Sequence, residues 1–340
     1  MLQTTTGQSL ASRLNEIDVS GTVWASFCAV IATLLLLDLV VFNRKAHRVT
    51  IRQALLGSAF FVGCAVVVGL WTWWYFAAEF GAQMGRTAAL TYFTGYVVEQ
   101  SLSVDNLFVF ALLFRYFRVP PEYQHRVLFW GIFGAIVLRA VMIFLGIGLV
   151  SRFHWLLYVF GAFLVFSGIK MLRPGDEPED IDESRVLRFV RRFVPVAPGL
   201  HGQKLFVREN GRLMATRLFL VLVMVEFTDV IFAVDSIPAI LGITLNQFLV
   251  FTSNIMAILG LRSLFFVLAD FIDRFKYLHY GLAFVLVFIG FKMLVEGVGV
   301  HIPVWLSLCI VLGSIVASVA VSLVATRREE RAEVPPGVGS

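Results

Sequence analysis

Charge is scarce in this sequence. Only 15% of its 340 residues are Asp, Glu, Lys or Arg, 59% are hydrophobic, and 33 are Phe. That balance excludes an ordinary soluble domain, which keeps a polar exterior toward water. Cysteine is scarcer still. Cys28, Cys64 and Cys309 lie in separate apolar runs without pairable spacing, so neither a disulfide framework nor a thiolate site is expected. The histidines, His47, His125, His154, His201, His279 and His301, fall in loops or at the ends of apolar runs, and none pairs at metal-ligand spacing. No basic stripe is interleaved with exposed aromatics. The net charge of +5 therefore belongs to loops and to contact with membrane lipid, and nucleic acid is excluded as a partner. HExxH, GxSxG and Ser-Lys patterns are missing too, so no enzyme is expected. Residues 1–20 lack a basic start and carry Glu16 and Asp18, which does not fit a cleaved leader.

Long apolar runs stand in place of charge. A spanning helix needs about 20 mostly apolar residues. Nine runs approach that: 23–42, 53–78, 89–114, 127–150, 154–172, 214–240, 247–269, 277–295 and 303–325. They are continuous and about twice the length of barrel strands, so helices are expected. The expected fold is an all-α polytopic membrane protein of about nine transmembrane helices. It runs as an extracytoplasmic N-terminus (1–22), two helices (23–78), a three-helix unit (89–172), a linker (173–213), a second three-helix unit (214–295), a last helix (303–325) and a cytoplasmic tail (326–340). With nine spans, 21 Lys and Arg fall on one side and only Arg13, Arg86 and Arg152 on the other. Cytoplasmic loops collect positive charge. The expectation is thus an inner or plasma membrane protein with its N-terminus outside and its C-terminus in the cytoplasm. The linker is mixed in charge and rich in proline, with a short amphipathic helix expected at Ser184–Phe193.

The two three-helix units resemble each other. Leu138–Leu172 and Leu261–Leu294 both begin Leu-Arg, both carry an aromatic-rich break, and end G-I-K-M-L and G-F-K-M-L. One gap aligns them. Spans 3–5 thus repeat as spans 6–8. An odd number of helices per unit inserts the second copy upside down, the inverted-repeat plan of secondary transporters. The matched Lys170 and Lys292 are expected to reach for the interface. Trp71, Trp73, Trp74 and Tyr75 read as an aromatic belt.

Carboxylates sit inside two of these runs. Glu226–Ala239 reads E-F-T-D-V-I-F-A-V-D-S-I-P-A, and Val98–Asn106 reads V-E-Q-S-L-S-V-D-N. Superposing Val104-Asp105 on Val234-Asp235 puts Glu99 on Asp229 and Asn106 on Ser236. A charge at the bilayer centre costs about 2.5–3.5 kcal/mol on insertion scales, which marks such residues as functional. Glu226 and Asp229 share a helix face. The six-residue steps Glu99–Asp105 and Asp229–Asp235 do not, being about 120° apart at about 100° per residue. Either the acids serve two surfaces, or each helix is locally unwound. Pro238 would free the carbonyl of Val234 and help the second arrangement.

The candidate cation-binding residues are Glu99, Asp105, Asn106, Glu226, Asp229, Asp235 and Ser236, with Ser101, Ser103, Thr228 and Asn254 in reserve. An all-oxygen set suits Mg²⁺, Ca²⁺ or Mn²⁺ over Zn²⁺ or Cu⁺. Met224 and Met256 offer a soft ligand that would favour Mn²⁺, although packing is their simpler role. Five carboxylates exceed what one divalent ion neutralises, so protons are expected to exchange there and to act as the coupling ion. The competing structural reading pairs the matched Arg139 and Arg262 with Asp105 and Asp235, which satisfies one or two of the five acids.

At these motifs the sequence resembles the TerC family of integral membrane proteins. The match rests on E-Q-S-L-S-V-D-N at Glu99–Asn106, on the Glu226–Ala239 run, and on Phe275–Gly281 with the Phe-Lys-Met-Leu that follows. It extends over roughly residues 25–325. The family name records an association with tellurite resistance, and its members resemble manganese exporters. The resemblance implies efflux of Mn²⁺ from the cytoplasm through Glu99, Asp105, Asn106, Glu226, Asp229 and Asp235. Mn²⁺ is then a transported substrate, with no permanently bound cofactor, and an oligomer is compatible with it. The rival expectation is a non-transporting accessory factor for secretion, metallation or tellurite stress, working through the linker.

Overall fold

The computed structural model describes residues 10–42, 50–172, 195–197, 202–209, 212–269, 278–296 and 302–332. Its helices are α1 (Leu10–Glu16), α2 (Gly21–Phe42), α3 (Ile51–Phe80), α4 (Ala82–Tyr116), α5 (Pro121–Arg152), α6 (Leu156–Met171), α7 (Arg217–Leu241), α8 (Gln247–Ala269), α9 (Leu278–Glu296) and α10 (Val304–Ala332). A helix stands at each of the nine apolar runs, and the protein is all-α and polytopic apart from one small hairpin. Five helices, α3, α4, α5, α8 and α10, are long and apolar enough to cross a membrane, and α1 with α2, bent by 84° at their break, makes a sixth. Nine crossings are therefore not borne out by length and composition. Helix α6 has only 16 residues, the apolar stretch of α9 is similarly short, and α7 carries three carboxylates.

The helix surfaces explain why this chain needs lipid. Leu56, Val67, Leu145, Phe166 and Val316 are each more than three-fifths exposed, which is costly in water and neutral against hydrocarbon. Helix α8 is the opposite case. Phe248, Leu249, Val250, Ile255, Met256, Ala257, Ile258 and Leu259 are all buried in it. It packs against α3, α4 and α5 and forms the centre of the bundle. Met224 and Met256 are buried in the same apolar core, as packing residues.

Helix α6 lies along α9 in the most extensive helix pairing among the described residues. Small residues allow it, as in membrane bundles generally. A Cβ on Gly168 would stand 2.7 Å from the carbonyl oxygen of Ala283, and one on Gly290 would stand 2.6 Å from that of Gly161. Gly168 and Gly290 hold equivalent places in the two matched stretches, as do Gly161 and Ala283. The crossing is thus the same contact made twice, once from each helix.

The matched lysines differ. Lys170 is exposed, but Lys292 is buried at 2% exposure and does not reach for the interface. Its helix also packs against α10. The expected aromatic belt divides likewise. Trp73 and Trp74 are exposed, while Trp71 stacks on Tyr75 and turns inward to Phe248.

The amino-terminal helix is pinned to the α7–α8 connection. The Asn15 side-chain oxygen accepts from the Thr244 hydroxyl at 2.7 Å and the Leu245 N–H at 3.0 Å. Asn246 donates back to the carbonyls of Leu14 and Ile17 at 2.7 and 3.1 Å.

The linker holds an element that hydropathy does not announce, an antiparallel hairpin of β1 (Phe206–Glu209) and β2 (Arg212–Ala215). Val196 bridges to Ala215 alongside it. The Thr216 hydroxyl, at the start of α7, donates to the Lys204 carbonyl at 2.7 Å. The helix expected at Ser184–Phe193 and the end of the tail lie outside the described residues.

Candidate functional site

The site is built around an arginine. Arg139 lies midway along α5 with no exposed surface. Its Nε donates to Asp229 Oδ2 at 3.2 Å and its Nη2 to Asp229 Oδ1 at 2.9 Å, a two-pronged grip on one carboxylate. Nη1 donates to Glu99 Oε1 and, at 3.3 Å, to Ser236 Oγ. Glu99 is held on both oxygens, because Asn254 on α8 donates to Oε2 at 2.8 Å and Ser103 donates to Oε1 at 3.0 Å. Four helices, α4, α5, α7 and α8, thus bring their polar groups to one buried point. Glu99 and Asp229 are 1% and 4% exposed, values acids adopt only when paired.

Of the expected residues, Glu99, Asp229 and Ser236 are brought together. Asn106 is buried elsewhere on α4, and the side chain of Asp105 lies outside the described residues. Asp235 stands apart. It accepts from Ser167 of α6 at 2.9 Å, with Lys170 within electrostatic reach. Glu226 also stands apart. Its carboxyl lies against Gly134 of α5, so closely that a Cβ there would push it aside. Its Oε2 is buried and, among the described residues, has no hydrogen-bond partner.

One expectation needs correction and one choice is decided. Arg139 pairs with Glu99 and Asp229, and Asp235 with a serine, while a pairing of Arg262 with Asp105 lies outside the described residues. Helix α7 is continuous through Pro238, and α4 is continuous through Asp105. The six-residue spacing is therefore resolved by orientation and not by unwinding: Asp229 faces α5 and Asp235 faces α6. Ser101 and Thr228 are satisfied on their own helices by the carbonyls of Val97 and Met224. Arg262 and Asp229 share the wall of a cavity of about 20 Å³ between α4, α5, α7 and α8, room for one water. No three His, Cys, Asp or Glu among the described residues gather closely enough to hold a metal ion, and a guanidinium stands between the two central acids.

A family model described as the integral membrane protein TerC family matches residues 84–330, which spans both acidic helices and the arginine between them. The chain belongs to the TerC family. This TerC protein is 47% identical over 305 residues to "Uncharacterized membrane protein STKORF319" of Myxococcus xanthus, covering 90% of this chain and 93% of the relative. It is 46% identical to "Putative membrane-bound redox modulator Alx" of Salmonella typhi, over 88% of this chain and 93% of that one. The protein of the same name from Escherichia coli K12 is 44% identical, over 91% and 96%. No solved structure matches the chain.

The TerC residues that the motifs did not single out are Ser167, which carries no sequence signal beyond its place before Gly168, and the central role of Arg139. That role had a signal: an arginine in the middle of an apolar run must find acids.

Proposed function

We propose that this protein is a secondary transporter that moves a divalent cation, Mn²⁺ in the first place, out of the cytoplasm. The observation that carries the reading is the convergence of Glu99, Asp229, Ser236 and Asn254 around Arg139 in the middle of the bundle. Two buried carboxylates with amide and hydroxyl oxygens beside them make a hard-oxygen set, suited to Mn²⁺, Mg²⁺ or Ca²⁺. Glu226 and Asp235 stand beside this set on α7, and Asp105 and Asn106 are added to it from the sequence motif alone. Membership of the TerC family supports transport, and the equivalent Gly168 and Gly290 contacts support an inverted repeat of α4–α6 and α7–α9. Protons exchanging on Glu226 and Asp235 supply the coupling.

The route opens toward a cleft of about 490 Å³ at the end of α8, lined by Asn15, Glu16, Asp18, Ser151, His154 and Gln247. Gln247 lies two turns before Asn254, about 10 Å along the helix. By the charge of the loops this is the outer face, with the C-terminus in the cytoplasm of an inner or plasma membrane protein. The name of the Alx relatives points to redox modulation. Cys28, Cys64 and Cys309 are unpaired and lie on α2, α3 and α10, so a thiol pair lends that idea no support. The accessory-factor reading has one footing, the exposed Phe206 and Leu213 of the hairpin.

The test is Mn²⁺ flux into proteoliposomes with and without a pH gradient, beside Glu99→Gln. Flux that the gradient accelerates and the variant abolishes is the expected result. Folded protein that moves no Mn²⁺ under either condition overturns the transport reading and leaves the accessory role.

A further inference from the structure

The transport reading, on which this inference rests, meets an obstacle on its own ground: the two central carboxylates already hold a cation. We propose that Arg139 is a tethered counter-cation, which fills the empty site through Glu99 and Asp229 and is displaced onto Glu226 when a divalent ion binds.

Three observations carry it. The Arg139 guanidinium takes up both oxygens of Asp229 and one of Glu99, the groups a divalent ion would need. Ion and arginine cannot hold the same oxygens together, so binding requires the side chain to leave. A displaced guanidinium must then find another acceptor, because a buried unpaired charge is strongly disfavoured. Glu226 offers one. It lies one turn before Asp229 on α7, where neighbouring side chains are about 5–6 Å apart. Its carboxyl rests on Gly134, five residues before Arg139 on α5, and its Oε2 is buried with no hydrogen-bond partner among the described residues. An arginine pivoting on α5 can exchange Asp229 for Glu226 by a change of rotamer. The loaded form balances, two charges of the ion against Glu99 and Asp229 and the arginine against Glu226, whereas in the empty form Arg139 offsets only one of the two central acids. The empty form carries the arginine on Asp229; the loaded form carries the ion there and the arginine on Glu226.

Glu226 on this account is a positioning residue for Arg139 and not a ligand of the ion. The two roles differ in a double-mutant cycle. Mn²⁺ binding is measured by calorimetry on detergent-purified wild type, Arg139→Gln, Glu226→Gln and the double variant, each checked for a monodisperse, folded state. Removing the competitor raises the competent fraction of the site, so Arg139→Gln tightens binding by about tenfold or more. Glu226→Gln weakens it by about tenfold, since the arginine loses its second seat. The double variant binds as tightly as Arg139→Gln. Glu226→Gln weakening both backgrounds equally makes Glu226 a direct ligand and overturns the proposal. So does weaker binding by Arg139→Gln. Should that variant fail to fold, Arg139→Lys replaces it. It keeps the charge but cannot grip both oxygens of Asp229, so tighter binding than wild type is expected, and unchanged or weaker binding overturns the proposal. A wild-type protein that binds no Mn²⁺ at all overturns the transport reading as well.

Discussion

Arg139 holds both carboxylate oxygens of Asp229, at 2.9 and 3.2 Å, across 90 residues of chain. The pair ties α5 to α7 at the depth where charge is most costly. Breaking a buried pair by removing one partner typically costs about 3–5 kcal/mol. Asp229→Ala should therefore lower the thermal unfolding temperature in detergent markedly, read by tryptophan fluorescence. Asp229→Asn keeps the shape and one acceptor and should lose less. An Asp229→Ala protein melting as the wild type does would show that the clamp adds nothing to stability.

Asn254 fixes the far oxygen of Glu99 at 2.8 Å. A hydrogen bond to a charged group contributes about 1.5–3 kcal/mol. Asn254→Leu removes it and leaves Glu99 under-satisfied, so a stability loss of that order is expected, with Mn²⁺ flux reduced. Asn254→Asp places a second carboxylate against the first and should be the worse of the two. Flux assays on protein that passes a folding check decide between them.

Gly168 and Gly290 make equivalent contacts where α6 crosses α9. A methyl at either glycine meets backbone, which cannot yield as a side chain can. Overpacking of this kind costs about 1–3 kcal/mol. Gly168→Ala and Gly290→Ala should destabilise by similar amounts, measured by thermal melting. An effect at one glycine and none at the other would contradict the equivalence of the two contacts.

Asn246 pins α1 through the carbonyls of Leu14 and Ile17. Asn246→Ala leaves those carbonyls without this donor, at about 1 kcal/mol per bond. The effect is local. Hydrogen exchange at Leu10–Glu16 should speed up while α8 stays protected. Uniform acceleration throughout the bundle would point to a global role instead.

The sequence exposes the helices of this protein more fully than their contacts. Runs of apolar residues encode spans directly, since each residue of a lipid-facing helix reports its own environment, and Glu99, Asp229 and Ser236 stand out as polar intrusions. Partner choice depends on how helices rotate about their axes, which no local period records. Arg139 lies 40 residues from Glu99 and 90 from Asp229, so spacing alone assigned it to the wrong acids. Hydropathy also overrates length. The run 154–172 is mostly apolar, yet α6 starts only at Leu156, after a break at Phe153–Trp155. The hairpin had a signal in Asn210-Gly211 between two short alternating stretches, the commonest two-residue hairpin sequence. Four-residue strands beside a proline-rich, charged background are too brief for alternation to register.

The hairpin also alters how α7 connects to the rest of the linker. Its last strand ends at Ala215, whose carbonyl and N–H are both bound to neighbouring backbone, and Thr216 locks the turn to Lys204 and Leu205. No loose joint separates strand from helix, and Phe206 packs against Phe219, ring centroids 4.6 Å apart and tilted by 47°, as a second fastening. The hairpin is therefore a rigid pointer on the acid-bearing helix. A spin label at the exposed Leu213 would swing with any tilt of α7, reporting from outside the bilayer a motion made within it.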